Sequence, residues 1–171
     1  MLLRTERLTI RRIQTEDWKA VQSIWQDFAQ SPFSRYDVPH DTTDETVLAR
    51  ISRWAEFSGS TEHLFFAICL ENRLIGYIAF NQRENGHEIG YCFHSDVHGK
   101  GYARESHLAL FDYLSVLGVK RFLARTALAN TPSVRLLVAL GFVQTGTEEV
   151  SFSKDENGKD FIFEGGLFKL D

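Results

Sequence analysis

Three apolar stretches separated by very short connections constrain the fold of this chain more than any other feature of its sequence. They are "LFFAICL" (64–70), "LIGYIAF" (74–80) and "HEIGYCF" (87–93), and each has the length and the β-branched and aromatic composition of a strand. The connections "ENR" and "NQRENG" are typical of hairpin turns. The sequence therefore predicts three consecutive antiparallel strands.

The spacing of apolar residues predicts the remaining elements. "RLTIRRI" (7–13) alternates as a strand does, and two helices follow, one capped by Thr15 and one by a capping box from Thr42 to Glu45, with a long loop over 30–41 between them. Beyond the apolar strands, the sequence predicts a helix over 101–117, a strand over 121–126, a helix over 132–140 capped by Thr131, and a closing hairpin of 142–152 and 159–170. The predicted fold class is mixed α/β (α+β), with a mostly antiparallel central sheet of about seven strands flanked by about four helices.

The composition is that of an ordinary soluble domain and argues against several classes of partner. The chain has 171 residues, enough for one domain (1–171), with 43% hydrophobic and 25% charged residues. A net charge of −4 predicts binding neither to nucleic acid nor to an anionic membrane. No apolar run has transmembrane length and the first ten residues are too charged for a signal peptide, so we expect a cytoplasmic protein. Cys69 and Cys92 are expected to be free thiols, and no ligand spacing predicts a metal site.

The stretch "HGKGYARES" (98–106) combines two glycines with several positively chargeable groups just before a predicted helix. Unpaired amides at a helix N-terminus form an anion site, and Gly99 and Gly101 let a phosphate approach the backbone. The first glycine and the Ser or Thr of a Walker A loop are missing, and the spacing differs from that of the dinucleotide fingerprint. By itself the stretch is compatible with an anion site or with a glycine-rich turn.

A second motif, "NTPSVRLLVALGF" (130–142), follows the next predicted strand. Together with the glycine loop and the preceding "EIGYCFHSD", it resembles the GNAT superfamily of acyl-CoA-dependent N-acyltransferases, and most closely the branch of Rim-type ribosomal-protein N-terminal acetyltransferases. The positions that match the family patterns Gln/Arg-x-x-Gly-x-Gly/Ala and Asn-x-x-Ser…Gly-Phe are His98, Gly101 and Ala103, and Asn130, Ser133, Gly141 and Phe142. The order of predicted elements is similar to the GNAT fold from Arg7 to Leu170.

This resemblance implies that an amine attacks the thioester of acetyl-CoA directly within a ternary complex. It also implies that loop amides hold the pyrophosphate, that Asn130 binds the pantetheine arm, and that a bulge near Cys92 and Phe93 frees an amide for the oxyanion. The residues expected to bind the cofactor are Cys92, Phe93, His98, Gly99, Lys100, Gly101, Tyr102, Ala103, Arg104 and Asn130. The chain departs from the family at two positions. His98 replaces the usual Gln or Arg, and Leu137 stands where many members carry a Tyr that protonates the departing thiolate.

Glu88 and Ser133 are the predicted catalytic residues. Glu88, Gly90 and Cys92 share one strand face, and a carboxylate on that small, largely apolar face would have a raised pKa suited to a general base. Ordered water and a solvated strand-end Glu88 are the alternatives. Ser133 is expected at the CoA sulfur, or else as a helix residue that satisfies a neighbouring amide.

The acceptor and the type of activity stay open at this stage. Arg35 and Tyr36 lie in the 30–41 loop, which in the family helps to form the acceptor pocket, and they are the predicted substrate contacts. The expected acceptor is a protein N-terminus or a small-molecule amine. A transferase that uses a longer acyl-CoA and a catalytically silent acyl-CoA-binding or regulatory module are the alternatives. Either a monomer or a homodimer is compatible with the sequence.

Overall fold

The computed structural model describes residues 1–57 and 60–171, which form one mixed sheet with helices on both faces. The strands are β1 (Leu2–Arg4), β2 (Leu8–Arg12), β3 (His63–Leu70), β4 (Arg73–Arg83), β5 (Gly86–Phe93), β6 (Phe122–Ala127), β7 (Val143–Val150) and β8 (Phe163–Leu170). The helices are α1 (Trp18–Ala29), α2 (Asp44–Glu56), α3 (Tyr102–Val116) and α4 (Thr131–Ala139).

The described sheet has eight strands in the order β1-β2-β3-β4-β5-β6-β8-β7. Every neighbouring pair is antiparallel except β5 and β6, which run parallel. The predicted fold class, the three-stranded antiparallel centre and the closing hairpin are confirmed. The additional strand is β1, which pairs Leu2–Arg4 with β2 and is too short for its residues to show an alternating pattern.

Helices on both sheet faces explain why the central strands are apolar at nearly every position. Phe66 and Ile68 of β3 pack with α3 and α4, whereas Phe65 and Ala67 face α1 and α2. Because successive side chains of a strand point to opposite faces, a strand covered on both sides must be apolar throughout. On the α1 side, the indole of fully buried Trp25 donates a hydrogen bond from Nε1 to the Tyr77 hydroxyl at 2.9 Å.

The first two helices begin differently from the prediction. A short 3₁₀ helix, Thr15–Asp17, precedes α1, and it is capped by Gln14 rather than by Thr15. The Asp17 carboxylate accepts a hydrogen bond from the Gln14 amide at 2.8 Å. The predicted capping box at α2 is also wrong, because the helix is preceded by Thr43 and lacks a side-chain cap.

At α4 the predicted helix is confirmed but the cap is Asn130. Its side-chain oxygen accepts a hydrogen bond from the Ser133 amide at 3.3 Å, so Thr131 is the first residue of the helix and not its cap. An Asn at this place satisfies one of the amides that the first helical turn leaves without an intrahelical partner.

Gly76 of β4 is required by close packing against β5. A Cβ at this position would lie 2.3 Å from Cδ1 of Phe93, whereas a Cβ at Gly90 would meet nothing within 4 Å. We expect Gly76→Ala to lower the free energy of unfolding by about 1–3 kcal/mol, the usual cost of overpacking a core. Urea unfolding of this variant beside Gly90→Ala, the matched control, measures the difference; equal stability of the two variants would contradict the packing argument.

Candidate active site

The parallel strands β5 and β6 part from each other after a short paired segment. Their register contains two residue pairs, His87 with Phe122 and Glu88 with Leu123. Beyond Glu88, β5 continues to Phe93 with β4 as its neighbour, while β6 continues to Ala127 with β8 as its neighbour. A wedge therefore opens between the carboxyl ends of β5 and β6, and α3 and α4 begin shortly after these two ends.

Two amides of β5 point into this wedge. The His87 amide donates to the Arg121 carbonyl on the β6 side at 3.0 Å, and the His94 amide donates to the Ile75 carbonyl on the β4 side at 3.0 Å. Because amides alternate between the two edges of a strand, the N–H groups of Tyr91 and Phe93 face the wedge, beyond the last β5–β6 pair.

The bulge predicted near Cys92 and Phe93 is wrong. The register of β4 with β5 is continuous from Gly76 opposite Phe93 to Arg83 opposite Gly86. The free donors arise from the separation of β5 and β6 instead. Since the β4 register is regular, the amide of Cys92 points to β4 and that of Phe93 to the wedge.

The glycine loop supplies a further set of unpaired amides. Gly99 and Gly101 have φ angles of +73° and +82°, which favour glycine. The amides of residues 99–104 have no hydrogen-bond acceptor in the described part of the chain, and Glu105 is the first residue of α3 to donate, to the Gly101 carbonyl at 3.0 Å. These donors, together with the helix dipole, form a site for an anion such as a phosphate group.

Residues of the turn between β1 and β2 hold the glycine loop in place. Arg7 donates from Nη1 to the Lys100 carbonyl at 2.9 Å, and its Nη2 lies 2.6 Å from Oε2 of Glu105. Its guanidinium also lies 4.5 Å from the centre of the Tyr102 ring. The hydroxyl of Thr5 donates to the same Glu105 carboxylate. Arg7 and Glu105 thus fix the loop before any ligand binds.

The His98, Lys100 and Arg104 side chains of the loop also donate to backbone carbonyls. His98 donates from Nε2 to the Phe93 carbonyl at 2.9 Å, and therefore ties the loop to the end of β5. Lys100 donates from Nζ to the Asp96 carbonyl at 2.9 Å. Arg104 donates to Ala139 at the end of α4 at 3.4 Å.

Ser133 lies in the first turn of α4 and contacts β5 across the wedge. Its Oγ is 2.8 Å from the hydroxyl of Tyr91. Burial raises the pKa of Tyr91 to about 12, although the Ser133 hydrogen bond acts in the opposite direction. Tyr91 was not predicted as a site residue, because its position in an apolar strand indicated packing only. The one sequence feature that could have indicated a role is its hydroxyl, a polar group in an otherwise apolar strand.

Glu88 lies where the wedge begins, but its surroundings are not the largely apolar face that the sequence predicted. Its Oε2 accepts a hydrogen bond from Nε of Arg83 at 2.9 Å, and Nε of Arg125 lies 3.9 Å away. Cys92, two strand pleats further on, packs with the α1 and α2 layer. Burial raises the pKa of the Cys92 thiol to about 12, and the nearby carboxylates Asp37 and Asp27 add to this shift.

The 30–41 loop packs against the connection between β7 and β8. The Arg35 guanidinium lies 3.9 Å from the centre of the Phe161 ring. The Tyr36 ring contacts those of Phe161 and Phe163, with centroid distances of 5.8 and 5.3 Å. These two predicted substrate contacts therefore lie at the junction of the loop with the β7–β8 hairpin.

His40, at the end of this loop, is fixed on the buried α1 helix. Its ring stacks on Trp25 at a centroid distance of 4.4 Å, and its Nδ1 accepts a hydrogen bond from Arg50 at 3.2 Å. Burial lowers the pKa of His40, which favours the neutral form of this imidazole.

No group of three or more His, Cys, Asp or Glu side chains among residues 1–57 and 60–171 is placed to hold a metal ion. In the same residues, no helix combines the length and the apolar character that crossing a membrane requires.

Comparison with known proteins identifies the class of this fold and site. The model of the acetyltransferase (GNAT) domain matches residues 7–143. An uncharacterised N-acetyltransferase, p20 of Bacillus licheniformis, is 30% identical over 148 residues, which is 84% of this chain and 83% of that protein. The chain therefore belongs to the GNAT acetyltransferase family, whose members are acyl-CoA-dependent acetyltransferases.

Solved structures agree with this assignment at the level of the fold. The ribosomal-protein-S5-alanine acetyltransferase of Vibrio fischeri superimposes with a TM-score of 0.82 at 18% identity, over 99% of this chain and 96% of that one. RimL, a ribosomal L7/L12 α-N-protein acetyltransferase solved with coenzyme A, gives a TM-score of 0.84 at 17% identity, over 99% and 97% of the two chains. The resemblance to the Rim-type branch is thus confirmed in the fold.

The ion pair behind the glycine loop generates a prediction about stability and pH. Burial raises the pKa of Glu105, but hydrogen bonds from Thr5 and Arg7 outweigh this effect and lower the pKa below the ordinary value of 4.5. A carboxyl with a lowered pKa in the folded state stabilises the fold above its unfolded pKa, and this contribution is lost as the pH falls through the folded pKa.

We therefore expect Glu105→Gln to be less stable than the wild type at pH 7, with a difference that shrinks as the pH falls below 4.5. Urea unfolding at a series of pH values measures the effect. Glu156→Gln, at an exposed position between β7 and β8, is the control for the loss of a surface carboxylate, and its stability at pH 7 should stay close to that of the wild type. A constant Glu105→Gln difference at all pH values would refute the ion-pair argument.

Proposed function

We propose that this protein transfers the acetyl group of acetyl-CoA to a primary amine, which attacks directly within a ternary complex. The observation that carries the proposal is the run of unpaired amides at residues 99–104, placed at the N-terminus of α3 beside the open end of β5. RimL has been solved with coenzyme A, and the self-immunity acetyltransferase MccE with acetyl-CoA and AMP. Membership in the same family supports the same co-substrate here.

The residues of the wedge are proposed to bind the CoA molecule. Backbone amides of Gly99, Lys100, Gly101, Tyr102, Ala103 and Arg104 would bind the pyrophosphate. No heavy atom lies within 4 Å of a Cβ built at Gly99, so the space in front of the loop is open to a ligand. The Phe93 amide would pair with a carbonyl of the pantetheine arm, as a neighbouring strand does.

Other predicted cofactor contacts act indirectly in this proposal. Asn130 caps α4 through the Ser133 amide and His98 binds the Phe93 carbonyl, so both shape the walls of the wedge. The thiol of Cys92 lies on the opposite sheet face from Tyr91. Its raised pKa, about 12, keeps it protonated at neutral pH, and it would line the acceptor side as a neutral group.

The chemical step needs a neutral amine, an oxyanion donor and stabilisation of the departing sulfur. The lone pair of the amine forms the C–N bond at the thioester carbonyl, and the Tyr91 amide, which also faces the wedge, would donate to the oxygen that becomes negative. Glu88, directly or through one water, would accept the surplus proton of the amine. The C–S bond then breaks, and Ser133 would donate a hydrogen bond to the sulfur.

The acceptor is proposed as a primary amine of a protein N-terminus or of a small molecule. Arg35 and Tyr36 would contact it from the junction of the 30–41 loop with the hairpin. The relatives named for ribosomal proteins and the one crystallised with acetyl-CoA and AMP support both kinds of acceptor. We further propose that residues 1–171 act as a single domain in the cytoplasm, as a monomer or homodimer; the two free cysteines are compatible with that compartment.

The proposal is tested by screening amine acceptors with acetyl-CoA while following the release of free thiol. Turnover with any amine is expected for the wild type, and Gly101→Asp should abolish it, because a carboxylate would replace the phosphate at the loop. Loss of two hydrogen bonds to a charged group corresponds to about 3–6 kcal/mol, or roughly a hundredfold or more in affinity. Gly118→Asp, at a glycine of similar φ (+93°) after α3, is the control for backbone strain.

Two results would contradict the proposal. An unchanged calorimetric affinity of Gly101→Asp for CoA would exclude the glycine loop as the phosphate site. CoA binding without release of thiol for any amine would favour the alternative, a silent acyl-CoA-binding module.

The role of Glu88 is tested by Glu88→Gln, which keeps the shape of the side chain and removes its capacity to accept a proton. If Glu88 is the base, turnover should fall by roughly a hundredfold at neutral pH and recover in part as the pH rises and deprotonates the amine. Glu148→Gln is the matched control, because Glu148 also contacts Arg125, at 3.5 Å, but from β7. Wild-type turnover of Glu88→Gln at all pH values would leave water as the proton acceptor.

A further inference from the structure

The hydrogen bond between Tyr91 and Ser133 joins the two walls of the wedge. Tyr91 extends from β5, Ser133 lies in the first turn of α4, and their oxygens are 2.8 Å apart although the residues are 42 positions apart in sequence. Both side chains are half-buried. They lie next to the Tyr91 amide that faces the wedge, which is where the proposed function requires the thioester to lie.

The direction of this hydrogen bond follows from acidity. A phenol is a stronger acid than an aliphatic alcohol, so the Tyr91 hydroxyl donates and Ser133 Oγ accepts. The Ser133 hydroxyl hydrogen is then available for a second acceptor, and within the described residues Oγ has no partner other than Tyr91. The helix position of Ser133 is itself fixed, because its amide donates to Asn130. This arrangement aims one O–H group at a ligand.

Tyr91 is held in place by a buried imidazole. Its ring meets that of His107 edge-on, with centroids 4.8 Å apart and an interplanar angle of 87°. His107 is fully buried and donates from Nδ1 to the Ala103 carbonyl at 2.7 Å. Burial lowers its pKa to about 4, so it is a neutral partner at physiological pH. Tyr91 therefore has little freedom to turn away from Ser133.

We propose that Tyr91 is a positioning residue for acetyl transfer: its hydroxyl orients Ser133 so that the Ser133 O–H donates a hydrogen bond to the CoA sulfur as the thiolate leaves. This inference rests on the proposed function. In the step concerned, the C–N bond forms, the C–S electron pair moves to sulfur, and the amine proton passes to the base. The thiolate afterwards takes a proton from solvent.

Tyr91 is not the source of that proton. Burial raises its pKa to about 12, above that of an ordinary thiol near 8.5, so the phenol is the weaker acid and proton transfer to the thiolate is unfavourable. A hydrogen bond to the anion requires no such transfer, and it stabilises the thiolate more than the thioester sulfur. The Tyr91–Ser133 pair therefore acts on the leaving group by hydrogen bonding.

The test compares the binding of CoA with that of desulfo-CoA, which lacks the sulfur, between about pH 6.5 and 9.5, a range around the ordinary thiol pKa. In the wild type, CoA should bind increasingly tightly relative to desulfo-CoA as its thiol ionises. Neither Tyr91 nor His107 nor Cys92 titrates in this range. Other groups of the loop and the strands act on both ligands, so their effect cancels in the ratio.

As the pH rises, the affinity for CoA should increase relative to that for desulfo-CoA, and we expect Tyr91→Phe to make this increase about tenfold smaller. The affinity for desulfo-CoA itself should stay unchanged. Ser133→Ala should have at least the same effect, and Tyr91→Phe should add nothing in the Ser133→Ala background, because Tyr91 acts only through Ser133. With an amine acceptor, Tyr91→Phe should lower kcat and leave KM for acetyl-CoA near the wild-type value. The phenylalanine keeps the ring contact with His107, so the fold is retained.

Tyr77→Phe is the matched control, since it also removes a buried hydroxyl, one that accepts from Trp25 in the other layer. It should lower the melting temperature without changing the ratio of CoA to desulfo-CoA affinity. A wild-type ratio of CoA to desulfo-CoA affinity in Tyr91→Phe would overturn the inference about Tyr91 but not the proposed function. Additive effects of Tyr91→Phe and Ser133→Ala would do the same. Failure of the wild type to bind either ligand would overturn the proposed function as well.

Discussion

The parting of β5 from β6 is the constraint on which the candidate site depends. In the described sheet these are the parallel neighbours, and parallel strands require a crossover, here α3. The crossover places the N-terminus of α3 after the end of β5, and α4 begins in the same way after β6. Because the pairing of the two strands ends at Glu88 and Leu123, free strand amides and two helix N-termini face the same wedge. Ligand sites in sheets of this kind form outside the carboxyl ends of the strands.

Packing and hydrogen bonds around the wedge between β5 and β6 keep it open in the absence of a ligand. The Phe93 ring fills the space that Gly76 leaves on β4, so the end of β5 stays on the β4 side and does not follow β6. The glycine loop is fixed by Arg7 and Glu105, and the first turn of α4 by Asn130. Donors that are fixed in this way do not have to reorganise when negative charge develops, which is the condition for electrostatic stabilisation of a transition state.

Periodicity and turn chemistry in the sequence were sufficient to predict seven of the eight strands of the described sheet, its four helices and the place of the glycine loop. Features that depend on distant partners were not predictable. Arg7 and Glu105 are 98 residues apart and Tyr91 and Ser133 are 42 apart, so no local pattern indicates either contact. The caps differed for a similar reason, because several polar residues near each helix start compete for the same amides. The supposed bulge was taken from the family resemblance, and the separation of β5 from β6 frees the donors instead.

The two ends of the wedge differ in the charge of the groups that line them. Neutral donors with high pKa values, such as Tyr91, lie where the thioester would react, whereas cationic side chains lie at the glycine loop, where phosphates would bind. Leu137, at the place of the usual family Tyr, is fully buried and contributes packing only. A free carboxylate beside the acceptor would stabilise its ammonium form and so oppose attack. In the proposed mechanism, the pairing of Glu88 with Arg83, and its proximity to Arg125, would offset this effect on an acceptor amine.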